Sequence, residues 1–439
     1  MSARTARFAP AGPLRGDYEP PADKSISHRA ALFGAMCDGP VTIHNYLDSA
    51  DTSSTLDALR GLGAEIDERP DGDLELRGVG LHGPAELGER PIDVGNSGTL
   101  MRLLPGWLAG QAGRVWTLDG DDSIRRRPVD RVAEPLRAMG ADLDARDGRL
   151  PPLHVRGSEL RGIEYELPVA SAQVKSCVLI AGMLAAGATT LVEPQPSRDH
   201  TERLLRRAGV PFERDGARLT VSAPAELELD EIAVPGDPSS AAFIVAAAIL
   251  VGRSRVSVSN VGLNWTRTGF LRIVERMGAA VEGDLEPPGA GAADAEPVGR
   301  LEVSSSALHA TVVEPDEVPL AIDELTLVAL LGAVAEGETV VRGAAELRHK
   351  ESDRIAAVVD GLRALGADIE GSSDGFVVRG DGSPLRGGSL DALGDHRLAM
   401  LGAVAGLAST EGVEVVGMDA AAVSYPGFED DLRSLVERR

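Results

Sequence analysis

The sequence predicts an α/β protein of two similar domains, each made of three β/α repeat units with buried helices. Two observations carry that prediction. Five segments share the form amphipathic helix, glycine, short apolar strand: LRGLGAEI (59–66), LRAMGADL (136–143), LRRAGVPF (205–212), VERMGAAV (274–281) and LRALGADI (362–369). Six other runs are apolar nearly all round and rich in small residues: SISHRAALFGAM, NSGTLMRLLPGWLAG, SAQVKSCVLIAGMLAAG, PSSAAFIVAAAILVG, DELTLVALLGAVAEG and HRLAMLGAVAGLAS. A helix with an Arg-bearing face belongs at the surface, and one without a polar face belongs inside. One of each per unit, at a period of about 70 residues, gives six units.

The glycine in each of the five segments stands where a helix ends in the left-handed conformation and releases the chain into a strand. Most of the apolar runs lead into β-branched strands such as VTIHNYL, TTLVEP, SRVSVSNV and ETVVRG. The tail FEDDLRSLVERR reads as a sixth amphipathic helix that stops before its strand. A strand from the N-terminus is expected to fill that place and bring the chain ends together. The boundary is expected near VPGDPSS (234–240), giving one domain of 1–22 plus 239–439 and a second of 23–238. The stretch EGDLEPPGAGAADAEPVGR (282–300) reads as an exposed loop.

Composition narrows the function classes. The chain has 439 residues, 43% hydrophobic and 26% charged, with a formal net charge of −24. That charge argues against nucleic acid or an anionic membrane as partner. Two cysteines, Cys37 and Cys177, offer neither a disulfide framework nor a metal-ligand spacing, which fits a reducing compartment. With no signal-peptide pattern and no run of membrane-spanning length, a soluble cytoplasmic protein is expected.

The six buried helices carry their polar residues at their N-terminal ends: DKSISHR, GNSGT, ASAQ, GDPSS, IDE and GDHR. Such ends present unpaired N–H groups and partial positive charge, so they suit anions. Simple capping explains one such end, and GDPSS is read that way. Several ends with Lys and Arg alongside fit anion recognition better.

Only three of the 44 basic residues are lysines: Lys24, Lys175 and Lys350. Lysine is a compact ammonium with a tunable pKa, and arginine a planar fork that stays charged. A lysine retained in an arginine-writing chain is therefore a candidate for proton transfer or a point charge on phosphate. Lys24 and Lys350 read as chemical; for Lys175, on an apolar helix, chemical and structural readings both stay open.

PADKSISHRA, VGNSGTLMR, RRRPVDR, ASAQVKS, SRDHTE, PGDPSS, AIDE, RHKESDR and GDHRLAM occur in this order from about residue 20 to 430. Together they resemble the EPSP synthase family of enolpyruvyl transferases, whose fold is two domains of three β/α units hinged across a cleft. The resemblance implies transfer of the enolpyruvyl group of phosphoenolpyruvate to the 5-hydroxyl of shikimate 3-phosphate, releasing phosphate by addition and elimination, on the route to chorismate and the aromatic amino acids. It implies no metal or organic cofactor, small anionic substrates as the partners, and a monomer.

By the same resemblance Lys24, Asp323 and Glu351 are the catalytic candidates. Lys24 touches both substrates, Asp323 is the hydroxyl base, and Glu351 shuttles the methyl proton. Shikimate 3-phosphate falls to Lys24, Ser25, Arg29, Ser171, Ala172, Gln173, Arg198, Asp323 and Lys350. Phosphoenolpyruvate falls to Lys24, Asn96, Gly98, Arg127, Gln173, Arg354, His396 and Arg397. The plainer reading of Asp323-Glu324 is a capped helix start, and of Glu351 a first-turn dipole partner. His28 and His200 are read as positioning neighbouring arginines, His154 and His309 as ordinary. Arg125 and Arg126 are read as a solvated charge run.

The chain departs from the family pattern at Val423, where many members carry a lysine contact to phosphoenolpyruvate, and at Glu346, where some have an asparagine. Glyphosate tolerance in the subgroup this chain resembles depends on an alanine at the position of Gly98, so inhibition by glyphosate is expected. The UDP-N-acetylglucosamine enolpyruvyl transferases share the fold, but their mobile loop carries a reactive Cys or Asp, and LDGDDSIRRRPVD here has no Cys. A non-catalytic phosphometabolite-binding protein would keep the arginines without needing Lys24, Asp323 and Glu351 together.

Overall fold

The computed structural model describes residues 4–290 and 294–437. The chain divides into two compact units: one of 1–21, 235–290 and 297–439, the other of 22–234 and 291–296. Each has its own apolar core.

The six apolar runs are helices. Lys24–Ala35, Gly98–Leu108 and Ala172–Gly182 lie in the second unit, and Pro238–Leu250, Leu325–Val334 and His396–Ala408 in the first. Nearly every side chain past their first turn is buried. Small residues let them approach closely: a Cβ on Gly106 would come within 2.3 Å of the Cys177 carbonyl oxygen of the neighbouring helix. Each recurring glycine, such as Gly63 (φ 105°) and Gly366 (φ 99°), takes the left-handed conformation that a side chain would disfavour.

Among the described residues, five four-stranded sheets and one three-stranded sheet complete the units. In the three-stranded sheet Thr5–Phe8 pairs antiparallel with Val413–Val416, the place an internal hairpin strand takes in the others. The Phe428–Leu435 helix runs into an antiparallel bridge between Val436 and Leu14, so the N-terminal chain does complete the sixth unit. Arg15–Tyr18 then pairs in parallel with Arg255–Val258.

The stretch 282–300 differs from the expectation at both ends. Glu282 ends the strand Ala280–Glu282, and Val298–Arg300 opens the strand Val298–Ser304. Val298 and Gly299 pair with Gly262 and Val261, hydrogen bonds supplied from far along the chain that local composition does not register. Residues 291–293 of that stretch lie outside the described residues. No helix among the described residues is long and apolar enough to cross a membrane.

Candidate active site

The functional candidates fall into two sets, one in each unit. In the unit centred on 22–234, Asp23 caps the Lys24–Ala35 helix by accepting from Ile26 N, which puts Lys24 at the first helical position. Lys24 Nζ donates to Asp51 Oδ2 at 3.1 Å, from the first turn of the Ala50–Gly61 helix. Arg29, one turn on, donates through Nε to Thr201 Oγ1, through Nη1 to the Ser25 carbonyl and through Nη2 to Ser176 Oγ, at 2.8, 2.9 and 2.8 Å. Arg198 Nη1 reaches Ser25 Oγ at 3.4 Å.

Ser171 caps the Ala172–Gly182 helix, and Gln173 Nε2 donates to Thr99 Oγ1 at 3.1 Å. That bond ties two helix N-termini together, because Ser97 caps the helix that Gly98 begins. Asn96 donates to Asp121. A Cβ on Gly98 would lie 2.8 Å from Arg102 Nη1 and 2.9 Å from Arg127 Nη1. Two arginine forks thus converge on the backbone at a helix N-terminus, an arrangement that suits a small polyanion.

His28 links the two halves of this set. Its Nδ1 meets Thr55 Oγ1 at 2.7 Å and its Nε2 meets Ser97 Oγ at 3.4 Å. It does position neighbours, but these are hydroxyls rather than arginines. Burial, with Lys24 and Arg29 nearby, lowers its pKa to about 3. The unfolded chain therefore takes up a proton here below about pH 6.5 while the folded protein does not, and stability falls with pH in that window. We expect wild type to lose about 2 kcal/mol more than His28→Gln between about pH 7 and about pH 5, measured by urea unfolding of both.

The other set centres on Arg354, whose side chain is 1% exposed. Its Nε donates to Asp395 Oδ2 at 2.8 Å, its Nη2 to Asp395 Oδ1 at 3.1 Å and Glu351 Oε2 at 2.6 Å, and its Nη1 to Asp323 Oδ1 at 3.2 Å. Asp323 Oδ1 also accepts from Lys350 Nζ at 3.1 Å, and its Oδ2 lies 3.7 Å from Arg397 Nη2. Burial opposes the Arg354 charge, yet the three carboxylates outweigh it and hold the guanidinium above its ordinary pKa. Burial likewise opposes the Asp395 charge, and Arg354 holds that carboxyl below the usual range.

Both plainer readings fail here. Glu324 precedes the Leu325–Val334 helix without a side-chain cap bond, and the Asp323 carboxylate is given to three cations instead. Glu351 lies three residues before the Arg354–Ala364 helix, outside its first turn. His396 and Arg397 begin the His396–Ala408 helix behind Asp395, which accepts from Arg397 N. Val423 lies in the 3₁₀ turn Met418–Val423, and Glu346 in the 3₁₀ turn Ala345–His349. His154 meets Thr117, and Arg125 is ion-paired with Asp119 at the surface, as a solvated run would be.

Sequence reasoning passed over Asp51 and the side-chain role of Asp395. Asp395 stands in GDHR, where only His396 and Arg397 were singled out. Asp51 had no signal beyond its place in a helix's first turn. Lys175 is fully buried and ion-paired with Glu193 and Glu202.

Each unit thus carries its own set of cations at helix N-termini, suited to small anions, and the first unit also holds carboxylates among its cations. The chain belongs to the EPSP synthase (3-phosphoshikimate 1-carboxyvinyltransferase) family, whose profile matches residues 8–432. It is 46% identical to the 3-phosphoshikimate 1-carboxyvinyltransferase of Methylococcus capsulatus over 97% of this chain and 96% of that one. It is 46% identical to that of Thermus thermophilus over 98% of both. Among solved structures, EPSP synthase of Acinetobacter baumannii superposes with a TM-score of 0.84 at 38% identity, covering 98% of each chain. The enolpyruvyl transferase NikO of Streptomyces tendae (TM-score 0.76, 18% identity, covering 99% of this chain and 98% of that one) shares the fold.

Proposed function

We propose that the protein transfers the enolpyruvyl group of phosphoenolpyruvate to the 5-hydroxyl of shikimate 3-phosphate and releases phosphate. One observation carries the mechanism: Asp323 and Glu351 sit on the same guanidinium, that of Arg354. The reaction needs two carboxylate tasks side by side. The hydroxyl loses its proton as its oxygen attacks C2, while C3 gains a proton; C3 then loses a proton as the C–O bond to phosphate breaks. Cations beside a carboxylate favour its charged, proton-accepting form.

In this reading Asp323 takes the hydroxyl proton and Glu351 serves the methyl group. Lys24 delivers a proton and a point charge. Arg127, Arg354 and Arg397 hold phosphoenolpyruvate with His396, Asn96 and the Gly98 backbone. Ser25, Arg29, Ser171, Ala172, Gln173, Arg198 and Lys350 hold shikimate 3-phosphate. Arg354 has already given four of its five N–H donors to carboxylates, so its main contribution is to fix Asp323 and Glu351. We place the enzyme in the cytoplasm, in keeping with two buried free thiols, Cys37 and Cys177, and take it as a monomer from the family resemblance alone.

The test is product identity. Incubation with both substrates should yield the two vinyl-proton signals of an enolpyruvyl ether by proton NMR, and replacing shikimate 3-phosphate with UDP-N-acetylglucosamine should yield none. Signals with the second acceptor alone would assign the chain to the other enolpyruvyl transferases. Gly98→Ala pushes a methyl against the Arg127 guanidinium. We expect glyphosate to inhibit wild type. We expect the variant to raise KM for phosphoenolpyruvate by about 10-fold or more, the weakening of one charge-assisted hydrogen bond, with KM for shikimate 3-phosphate unchanged. Steady-state kinetics with each substrate varied in turn checks both.

A further inference from the structure

Lys175 is the one lysine that this chemistry leaves unused. It lies in the Ala172–Gly182 helix, one turn past Ser171, with its side chain fully buried. Its Nζ donates to Glu193 Oε1 at 2.8 Å and to the Ser197 carbonyl at 3.1 Å, and pairs with Glu202 Oε1 at 2.7 Å. Arg214 closes the outer side, 3.7 Å from Glu193 Oε2 and 4.0 Å from Glu202 Oε1. Burial opposes the ammonium, and the two glutamates outweigh it, so Lys175 stays above the ordinary lysine pKa and charged. A buried ion cluster is a poor source of stability compared with apolar packing of the same volume. Its geometry points to another use.

Glu193 follows directly on the strand Thr189–Val192. Besides Lys175, its Oε1 accepts from Ser197 N at 3.0 Å and from Ser197 Oγ. The segment EPQPS (193–197) is thereby wrapped around one carboxylate that Lys175 holds in place. The next residue is Arg198, which reaches Ser25. Glu202 anchors the other side, from the first turn of the His200–Arg207 helix. Its neighbour Thr201 meets Ser176 Oγ at 2.7 Å and Arg29 Nε at 2.8 Å.

We propose that Lys175, Glu193 and Glu202 are positioning residues. They lock the Ser197–Arg198 segment to the helix that carries Ser171 and Gln173, and so fix the spacing of the groups that receive the acceptor's phosphate. Groups held in advance bind without the cost of ordering them. The inference rests on the proposed role of Arg198 in binding shikimate 3-phosphate.

The test uses Lys175→Met and, in case that variant folds poorly, the milder Glu202→Gln. Hydrogen exchange should quicken across 193–200 in the variants while the core helix Pro238–Leu250 keeps its protection. KM for shikimate 3-phosphate should rise about tenfold, with KM for phosphoenolpyruvate and kcat within about twofold of wild type. A merely structural cluster would instead lower kcat through loss of folded enzyme, with both KM values unchanged, and that result overturns the proposal. So does unchanged exchange across 193–200 in folded Glu202→Gln. If wild type itself fails to turn over shikimate 3-phosphate, the functional reading has failed, and the exchange data still decide whether the cluster holds the segment.

Discussion

Lys24→Arg should fold like wild type and lose about 10²- to 10⁴-fold in kcat, the usual contribution of one positioned proton donor. The substitution keeps a positive charge opposite Asp51, whose carboxylate lies 3.1 Å from the ammonium. It replaces an ammonium that can hand on a proton with a guanidinium that stays protonated. It also replaces a compact group with a planar fork at the first position of a helix. Thermal unfolding monitored alongside turnover separates the two effects: an unchanged midpoint with lost kcat places the defect in the chemistry. Retained turnover would reduce Lys24 to a charge.

Arg354→Leu carries the second large effect. The side chain is buried, and Asp323, Glu351 and Asp395 all bond to it. Removing the guanidinium leaves three carboxylates facing one another with Lys350 and Arg397 as the remaining cations beside Asp323. Stripping one partner from a buried ion group costs about 3–5 kcal/mol. The deficit should shrink as pH falls. Carboxyls deprived of their cation have folded-state pKa values above their unfolded ones, and such groups stabilise the fold only when protonated. Urea unfolding of wild type and variant at about pH 8 and about pH 5.5 checks the size and the sign. Activity should be lost at both, since Asp323 and Glu351 no longer have a fixed geometry.

Much of this architecture was legible because it is written in local signals. A helix apolar on every face must be buried, and a glycine between helix and strand marks a left-handed turn, so the repeat unit could be read from LRALGADI and its relatives. The missing strand after FEDDLRSL was legible too, since a sixth helix without its strand leaves an unpaired edge for Thr5–Phe8 to fill. Helix ends such as Asp23, Ser97 and Ser171 were readable as caps.

What stayed hidden depends on pairing across long sequence separations. Nothing in SADTSS marks Asp51 as the partner of Lys24. Nothing near Lys175 announces that Glu193 and Glu202 will meet it, and the sequence could leave only two readings open. Asp395 was passed over in GDHR, because its bonds to Arg354 come from another repeat unit. Val298–Arg300 was read from its Gly- and Pro-rich surroundings, and the strand it forms is set by Gly262 and Val261.

The most direct measurement is phosphate release from phosphoenolpyruvate by the purified chain, with shikimate 3-phosphate present or absent, and with Lys24→Arg in parallel. Release should require shikimate 3-phosphate and be nearly abolished by Lys24→Arg. Absence of release with the wild-type chain and both substrates would contradict the proposed transfer.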